Sequence, residues 1–293
     1  MELRHLRYFL AVAQELHFTR AAARLGIGQP PLSQQIKDLE QEIGARLFHR
    51  TSQGVRLTEA GLVFRVEAEA VLGGAERARS AAQRAARGET GQLRVGFTSS
   101  AAFNPVVPGM IRNFRRAWPG VHLRLEEANT MQLLDALEHN KLDAIFIRPG
   151  ATAPKDMLLR RFPDEAMKIV LPAKHPLAAK RALPMAALAR EPFVLFPRAV
   201  GLSLYDEIVN ACRKAGFEPR LSQEAPQISS VVNLVAAELG VSVVPAAIGQ
   251  VRVHGVRYVN IEGKAAPVAR LGLAVRALET SVVVKNFAGL AEL

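Results

Sequence analysis

Cysteine is almost missing from this 293-residue chain, and Cys212 is its sole example. One thiol excludes an intrachain disulfide and any multi-cysteine metal site, and it suits a reducing cytosol. Metal-ligand spacing is missing too: His5, His17, His49, His122, His139, His175 and His254 form no HxH or HExxH pattern. There is no G-x-S-x-G elbow and no G-x-x-x-x-G-K-[ST] loop, and Gly26-Ile27-Gly28 lacks the third glycine and preceding strand of a dinucleotide site. Cys212 shares a helix side with Ile208 and Val209, a core position rather than a nucleophile's. Enzyme catalysis, cofactors and metals are therefore not expected. Long apolar runs are absent as well. The uncharged run Tyr8 to Ala13 is too short for a signal peptide, and Ser229 to Gly249 is broken by Glu238, below the roughly 18 residues of a membrane span. The expectation is a soluble, cytoplasmic protein with no membrane partner.

What is present is a globular composition, 49% hydrophobic, with a formal net charge of +11. At roughly 150 residues per domain the length suggests two domains. A surplus of cations invites a nucleic-acid reading, but its placement matters. Residues 1–90 hold 13 Lys+Arg and 10 Asp+Glu, net +3, whereas residues 91–293 hold 25 and 17, net +8.

The first 57 residues are dense in helical periodicity. Leu3, Leu6, Leu10 and Ala13 predict a first helix ending near Gln14. Thr19 reads as the N-cap of a second helix, Arg20 to Leu25, with Phe18 stapled onto Ala23 and Gly26 as the stop. Pro30 and Pro31 suit the first turn of a third helix. Two short helices around a glycine-containing turn make a helix-turn-helix pattern. On the third helix Leu32, Ile36, Leu39 and Ile43 form an apolar stripe, while Ser33, Gln34, Lys37 and Gln41 form a face of hydroxyl, amide and ammonium groups. Such groups can read base edges or hold phosphates; the same face could equally be a solvated surface. His49 to Leu57 then reads as two extended pieces around a polar turn, a wing that could place Arg50 or Arg56 against phosphates. Thr58 caps a long helix running towards Arg87, whose small apolar stripe predicts packing against a second copy; docking on its own chain stays open. Arg87 to Gln92 is a polar, two-glycine linker.

From Leu93 strands alternate with helices, which predicts parallel α/β sheets. Strands are expected at Leu93–Phe97, Val121–Glu126, Asp143–Ile147, Met167–Leu171, Phe193–Phe196, Val241–Val244 and Leu271–Arg276. In such sheets ligands bind beyond the carboxyl ends of strands. Those positions carry Thr98-Ser99-Ser100, Asn129-Thr130 and Arg148, a set suited to a small carboxylate held bidentately by arginine. Phe196-Pro197-Arg198 ends a later strand and could face them across a cleft.

Taken together, Leu6-Arg7-Tyr8-Phe9, Phe18-Thr19-Arg20-Ala21-Ala22, Gln29-Pro30-Pro31-Leu32-Ser33-Gln34-Gln35-Ile36, Leu39-Glu40 and the run of Leu47, Phe48, Arg50, Leu57, Thr58, Ala60 and Gly61 closely resemble the LysR-type transcriptional regulators. The likeness extends over essentially the whole chain and is nearest to the subgroup for aromatic degradation and acetoin synthesis. It implies an α/β protein with an N-terminal all-α winged helix-turn-helix (1–58), a long linker helix that dimerises (59–91), and a two-lobed effector domain like periplasmic binding proteins (92–293). Lobe I would take 92–162 and 267–293, and lobe II 163–266. The resemblance further implies double-stranded operator DNA, a small carboxylate effector, RNA polymerase and a dimer of dimers as partners. Carried over, DNA contacts fall to Thr19, Arg20, Gln29, Pro30, Pro31, Ser33, Gln34, Lys37, Arg50, Thr51 and Arg56. Effector contacts fall to Ser99, Ser100, Thr130, Arg148, Phe196, Pro197, Leu202 and Leu204. The chain departs from relatives at Gln53, where some carry arginine in the wing, and at Leu202 and Leu204, where muconate-binding members have Pro and Phe, so the effector need not be aromatic. The other reading of these residues is a small-molecule binding protein whose helix-turn-helix contacts protein.

Overall fold

The computed structural model describes residues 1–51, 54–150, 156–263 and 266–292; Ser52 and the wing position Gln53 lie outside the described residues. The chain divides into two compact units, Met1–Arg84 and Ala85–Leu293.

The first unit opens with α1 (Leu3–Glu15), α2 (Phe18–Leu25) and α3 (Gln29–Ile43). Leu16, at φ 52°, ends α1 in the left-handed region, and the chain re-enters a helix earlier than Thr19. His17 caps α2, its Nδ1 accepting the Thr19 N–H at 3.2 Å, so Thr19 is a first-turn residue and not the cap the sequence suggested. The Phe18 ring consequently packs towards Phe48, 6.1 Å between centroids, in place of a staple onto Ala23. On α3, Leu32, Ile36 and Leu39 are buried as the periodicity requires, but Ile43 is 37% exposed because Gly44 ends the helix at the surface. Phe9 fills the centre of this unit, with the Phe48 and Phe64 rings 5.2 and 4.9 Å away.

Strands β1 (Phe48–Thr51) and β2 (Gly54–Leu57) pair antiparallel, Phe48 opposite Leu57, and form the wing. Gly54 has φ +135°, and a Cβ there would stand 2.6 Å from the Leu16 carbonyl oxygen. Its absence lets the Val55 N–H reach that carbonyl at 3.0 Å, which fixes the wing to the α1–α2 corner. Thr58 accepts the Gly61 N–H at 2.9 Å and so caps α4 (Glu59–Ala86), a 28-residue helix about 42 Å long at 1.5 Å per residue. Only Gly61 and Ala68 of α4 are buried, and Leu62, Val63, Val66 and Val71 lie open on it.

The second unit runs β3 (Gly91–Phe97), α5 (Ser99–Ala102), α6 (Val106–Ala117), β4 (Val121–Glu127), α7 (Thr130–Glu138), β5 (Ala144–Ile147), β6 (Met157–Arg161) and β7 (Glu165–Pro172). It continues through β8 (Ala182–Pro184), β9 (Pro192–Leu195), α8 (Leu202–Lys214), β10 (Arg220–Glu224), α9 (Ile228–Ala236), β11 (Ser242–Pro245), β12 (Val256–Glu262), β13 (Val268–Ala269), β14 (Gly272–Arg276) and α10 (Val282–Gly289). One lobe is built on the sheet β4-β3-β5-β14-β6 and the other on β11-β7-β12-β8, with β9 and β10 paired beside it. The sheets are mixed and not wholly parallel as the alternation suggested. β3 runs parallel to β4 and β5, but β14 is antiparallel to both β5 and β6, and β7 is antiparallel to β11 and β12. The cause is topological: the chain returns to the first sheet from the second lobe, so β14 does not enter through a strand–helix crossover. The two crossings run side by side, β13 pairing with β7 at Ala166 and Glu165. No helix among the described residues is long and apolar enough to cross a membrane.

Candidate functional site

Two groups of predicted residues can be located. On the first unit, Gln29, Pro30, Pro31, Gln34 and Lys37 are exposed on α3, Ser33 is half-buried, and Arg50, Thr51 and Arg56 stand exposed on the wing. The side chains differ in freedom. Lys37 and Arg56 make no hydrogen bond or ion pair among the described residues. Arg50 donates to Ser33 Oγ at 3.2 Å and sits over the Phe18 ring, 5.0 Å from its centroid, so wing and α3 are joined by a cation on a π face. Gln34 donates from Nε2 to Asp38 Oδ1 at 2.7 Å. Thr51 Oγ1 donates to the Gly54 carbonyl inside the wing turn. Arg20 folds back onto the Glu15 carbonyl at 2.5 Å, while Thr19 is exposed beside it.

On the second unit, Ser99, Ser100, Thr130, Arg148, Phe196 and Leu204 share the lining of one cavity of about 270 Å³. Leu202 lines an adjoining open hollow of about 730 Å³ that also touches Thr130 and Arg148, and Pro197 lines neither. Thr98 and Ser100 are buried, their hydroxyls 3.5 Å apart. Four helices begin at the cavity: the short α5 after Thr98, α7 at Thr130, α8 after Gly201 and α9 after Gln227. Asn129 caps α7 through the Gln132 N–H at 2.9 Å, whereas neither Gly201 nor Gln227 caps its helix with a side chain. First-turn N–H groups of α8 and α9 are therefore available to an acceptor in the cavity. Phe196, Val200, Leu204 and Ile228 make the apolar wall.

Arg148 is not the free clamp that its position suggested. It is 4% exposed and its Nη2 lies 3.0 Å from Glu165 Oε2. The same guanidinium donates to the Ser100 carbonyl at 2.9 Å and reaches the Ala269 carbonyl at 3.4 Å. Glu165 in turn accepts from Asn104 Nδ2 at 2.9 Å and from the Ala247 N–H at 2.7 Å. Burial lowers the Arg148 pKa from its ordinary value while Glu165 opposes that shift, and an arginine so placed stays charged. Arg198 donates from Nε and Nη2 to the two carboxylate oxygens of Asp206, at 2.7 and 2.8 Å, on the exposed side of α8. Cys212 is wholly buried in the second lobe, and burial, with a smaller push from Glu218, raises its thiol to about 12. A neutral thiol inside a core is a poor nucleophile.

Family models match in two blocks: the bacterial regulatory helix-turn-helix protein of the lysR family over residues 3–62, and the LysR substrate binding domain over residues 86–292. The chain belongs to the LysR family. It is 44% identical over 261 residues to YnfL of Escherichia coli (strain K12), an uncharacterized HTH-type transcriptional regulator, covering 89% of this chain and 88% of that protein. It is 40% identical to the HTH-type transcriptional regulator BudR of Raoultella terrigena, over 98% and 99% of the two chains. Among solved structures, the LysR family regulator CbnR matches with a TM-score of 0.88 at 25% identity, over 99% of this chain and all of the other. Full-length CbnR bound to its target DNA matches at 0.87 with the same identity. This LysR-family chain is thus a DNA-binding transcriptional regulator with an effector-binding domain, and its family is one of regulators and not of enzymes.

Sequence reasoning missed part of the cavity of this LysR protein: Glu127, Gln132, Val200, Gly201, Pro226, Gln227 and Ile228. The last three follow β10, whose Arg-Leu-Ser-Gln-Glu sequence is exposed at every residue and carries no alternation to reveal a strand. Glu127 and Gln132 flank residues that were found, and the rule that ligands sit at strand ends could have included Glu127, the last residue of β4.

Proposed function

We propose that this regulator binds an inverted-repeat operator as a homo-oligomer and answers to a small carboxylate held in the cavity between its two lobes. Cytoplasmic action and a dimer of dimers belong to the same reading. In it, residues 1–58 bind DNA, the helix within 59–91 pairs with its copy, and residues 92–293 take the effector. Gln29, Ser33 and Gln34 face base edges, while Lys37, Arg50 and Arg56 hold phosphates.

The observation that carries the effector reading is the cavity itself. Four hydroxyl residues, Thr98, Ser99, Ser100 and Thr130, line it together with the uncapped starts of α8 and α9, an acceptor-hungry surface beside an apolar wall. Arg148 contributes positive potential from behind Ser100 while remaining paired with Glu165. A ligand can change operator binding only by preferring one lobe arrangement over another.

A thermal-shift series on the full chain, comparing short carboxylic acids with their uncharged primary amides, tests the carboxylate. Ligand at 100 times its Kd adds about 2.7 kcal/mol of stability. An acid should raise Tm, its amide should not, and Thr130→Val should abolish the gain. An amide that stabilises as well as its acid overturns the carboxylate, and undiminished affinity in Thr130→Val moves the site elsewhere.

A further inference from the structure

One acidic side chain sits where a DNA-reading surface gains nothing from negative charge. Asp38 is exposed on α3, one turn beyond Gln34 and next to Lys37. Its carboxylate opposes the phosphates of any duplex that α3 approaches, a penalty independent of base sequence. Asp38 makes one hydrogen bond among the described residues, the 2.7 Å bond it accepts from Gln34 Nε2. Glutamine and aspartate four residues apart on a helix face are placed to bond in this way.

That bond decides what Gln34 offers to a base. A free glutamine amide can turn over about its last torsion and exchange donor and acceptor at little cost. With one Nε2 hydrogen on Asp38, the turned-over amide would set Oε1 against the carboxylate, two acceptors with no proton between them. The amide therefore holds one orientation, presenting Oε1 together with the second Nε2 hydrogen. An acceptor beside a donor, in fixed order, matches the N6 amino group and N7 of adenine in the major groove. We propose that Asp38 is a specificity-determining positioning residue, which fixes the Gln34 amide to read adenine and gives up general DNA affinity in doing so. This rests on the reading that α3 meets base edges through Gln34.

The test selects duplexes from a random-sequence library with the full-length protein as wild type, Gln34→Ala, Asp38→Ala and Asp38→Asn, followed by titration of a selected and a random duplex at several salt concentrations. Wild type should enrich adenine at one position of each half-site, with a preference of roughly 5- to 100-fold. Gln34→Ala and Asp38→Ala should both lose it there and nowhere else. Both Asp38 variants remove a negative charge and should tighten binding to the random duplex. Asp38→Asn places a flippable amide that can donate as well as accept, so either Gln34 orientation finds a partner and the adenine preference should fall as it does in Asp38→Ala. An Asp38→Ala protein that keeps the preference, while Gln34→Ala loses it, overturns the proposal alone; so does an Asp38→Asn protein that keeps it in full. A selected motif untouched by Gln34→Ala overturns the reading of Gln34 and the proposal with it.

Discussion

The side chains whose positions were easiest to foresee are engaged differently from what position alone suggests. Arg148 does stand at the end of β5, on the cavity, but its charge is met by Glu165 at 3.0 Å inside the fold. Removing one member of a buried pair leaves the other charge unmatched, at a cost of about 3–5 kcal/mol. Arg148→Ala should lower the unfolding free energy by that amount in urea titration, and adding Glu165→Gln should recover much of it. Strictly additive effects would show that the two are not coupled. An Arg148→Ala protein that has lost its effector response has therefore first lost an internal ion pair, which is why Thr130→Val is the cleaner probe of the ligand. Ser33 and Gln34 show the same principle on α3: a polar residue chosen for its chemistry finds a protein partner, Arg50 or Asp38, before it finds a base.

At the scale of elements, the strongly periodic and well-punctuated segments were legible. Helix α3 lies where its prolines and Gly44 place it, and α4 starts where Thr58 caps it. Five strands were not: β6, β8, β10, β12 and β13 escaped notice, and of these β10 is held by its parallel ladder to β9, without buried side chains. Backbone pairing leaves no mark on side-chain periodicity. Helix α4 remains half an element by itself, since Leu62 is 41%, Val63 67% and Val66 60% exposed. The proposed homo-oligomer would cover this apolar row with a second copy. Val66→Glu should weaken self-association at least tenfold, about 1.4 kcal/mol, in sedimentation experiments. An unchanged association constant would place the interface away from this row.

For the whole molecule, the +11 charge is less informative than its distribution. In the proposed function DNA binding rests on where Lys37, Arg50 and Arg56 sit and not on a large surplus, since residues 1–90 carry only +3. Every phosphate that a variant leaves unneutralised should reduce the slope of log affinity against log salt by about 0.9. Lys37→Ala and Arg56→Ala should each flatten that slope. Removing the exposed Arg115 and Arg116 of the second unit should leave it unchanged. If the second-unit pair flattened the slope as much, DNA attraction would be a property of total charge. The sequence by itself determined the family, the helix-turn-helix with its wing and the alternation of strands and helices, because those depend on contacts between residues near one another along the chain. Only the tertiary structure decided the mixed direction of the sheets, the cavity wall supplied by α9 and the pairing of Arg148 with Glu165. These depend on the chain crossing into a second lobe and returning, and no local spacing records which side chains meet when it does.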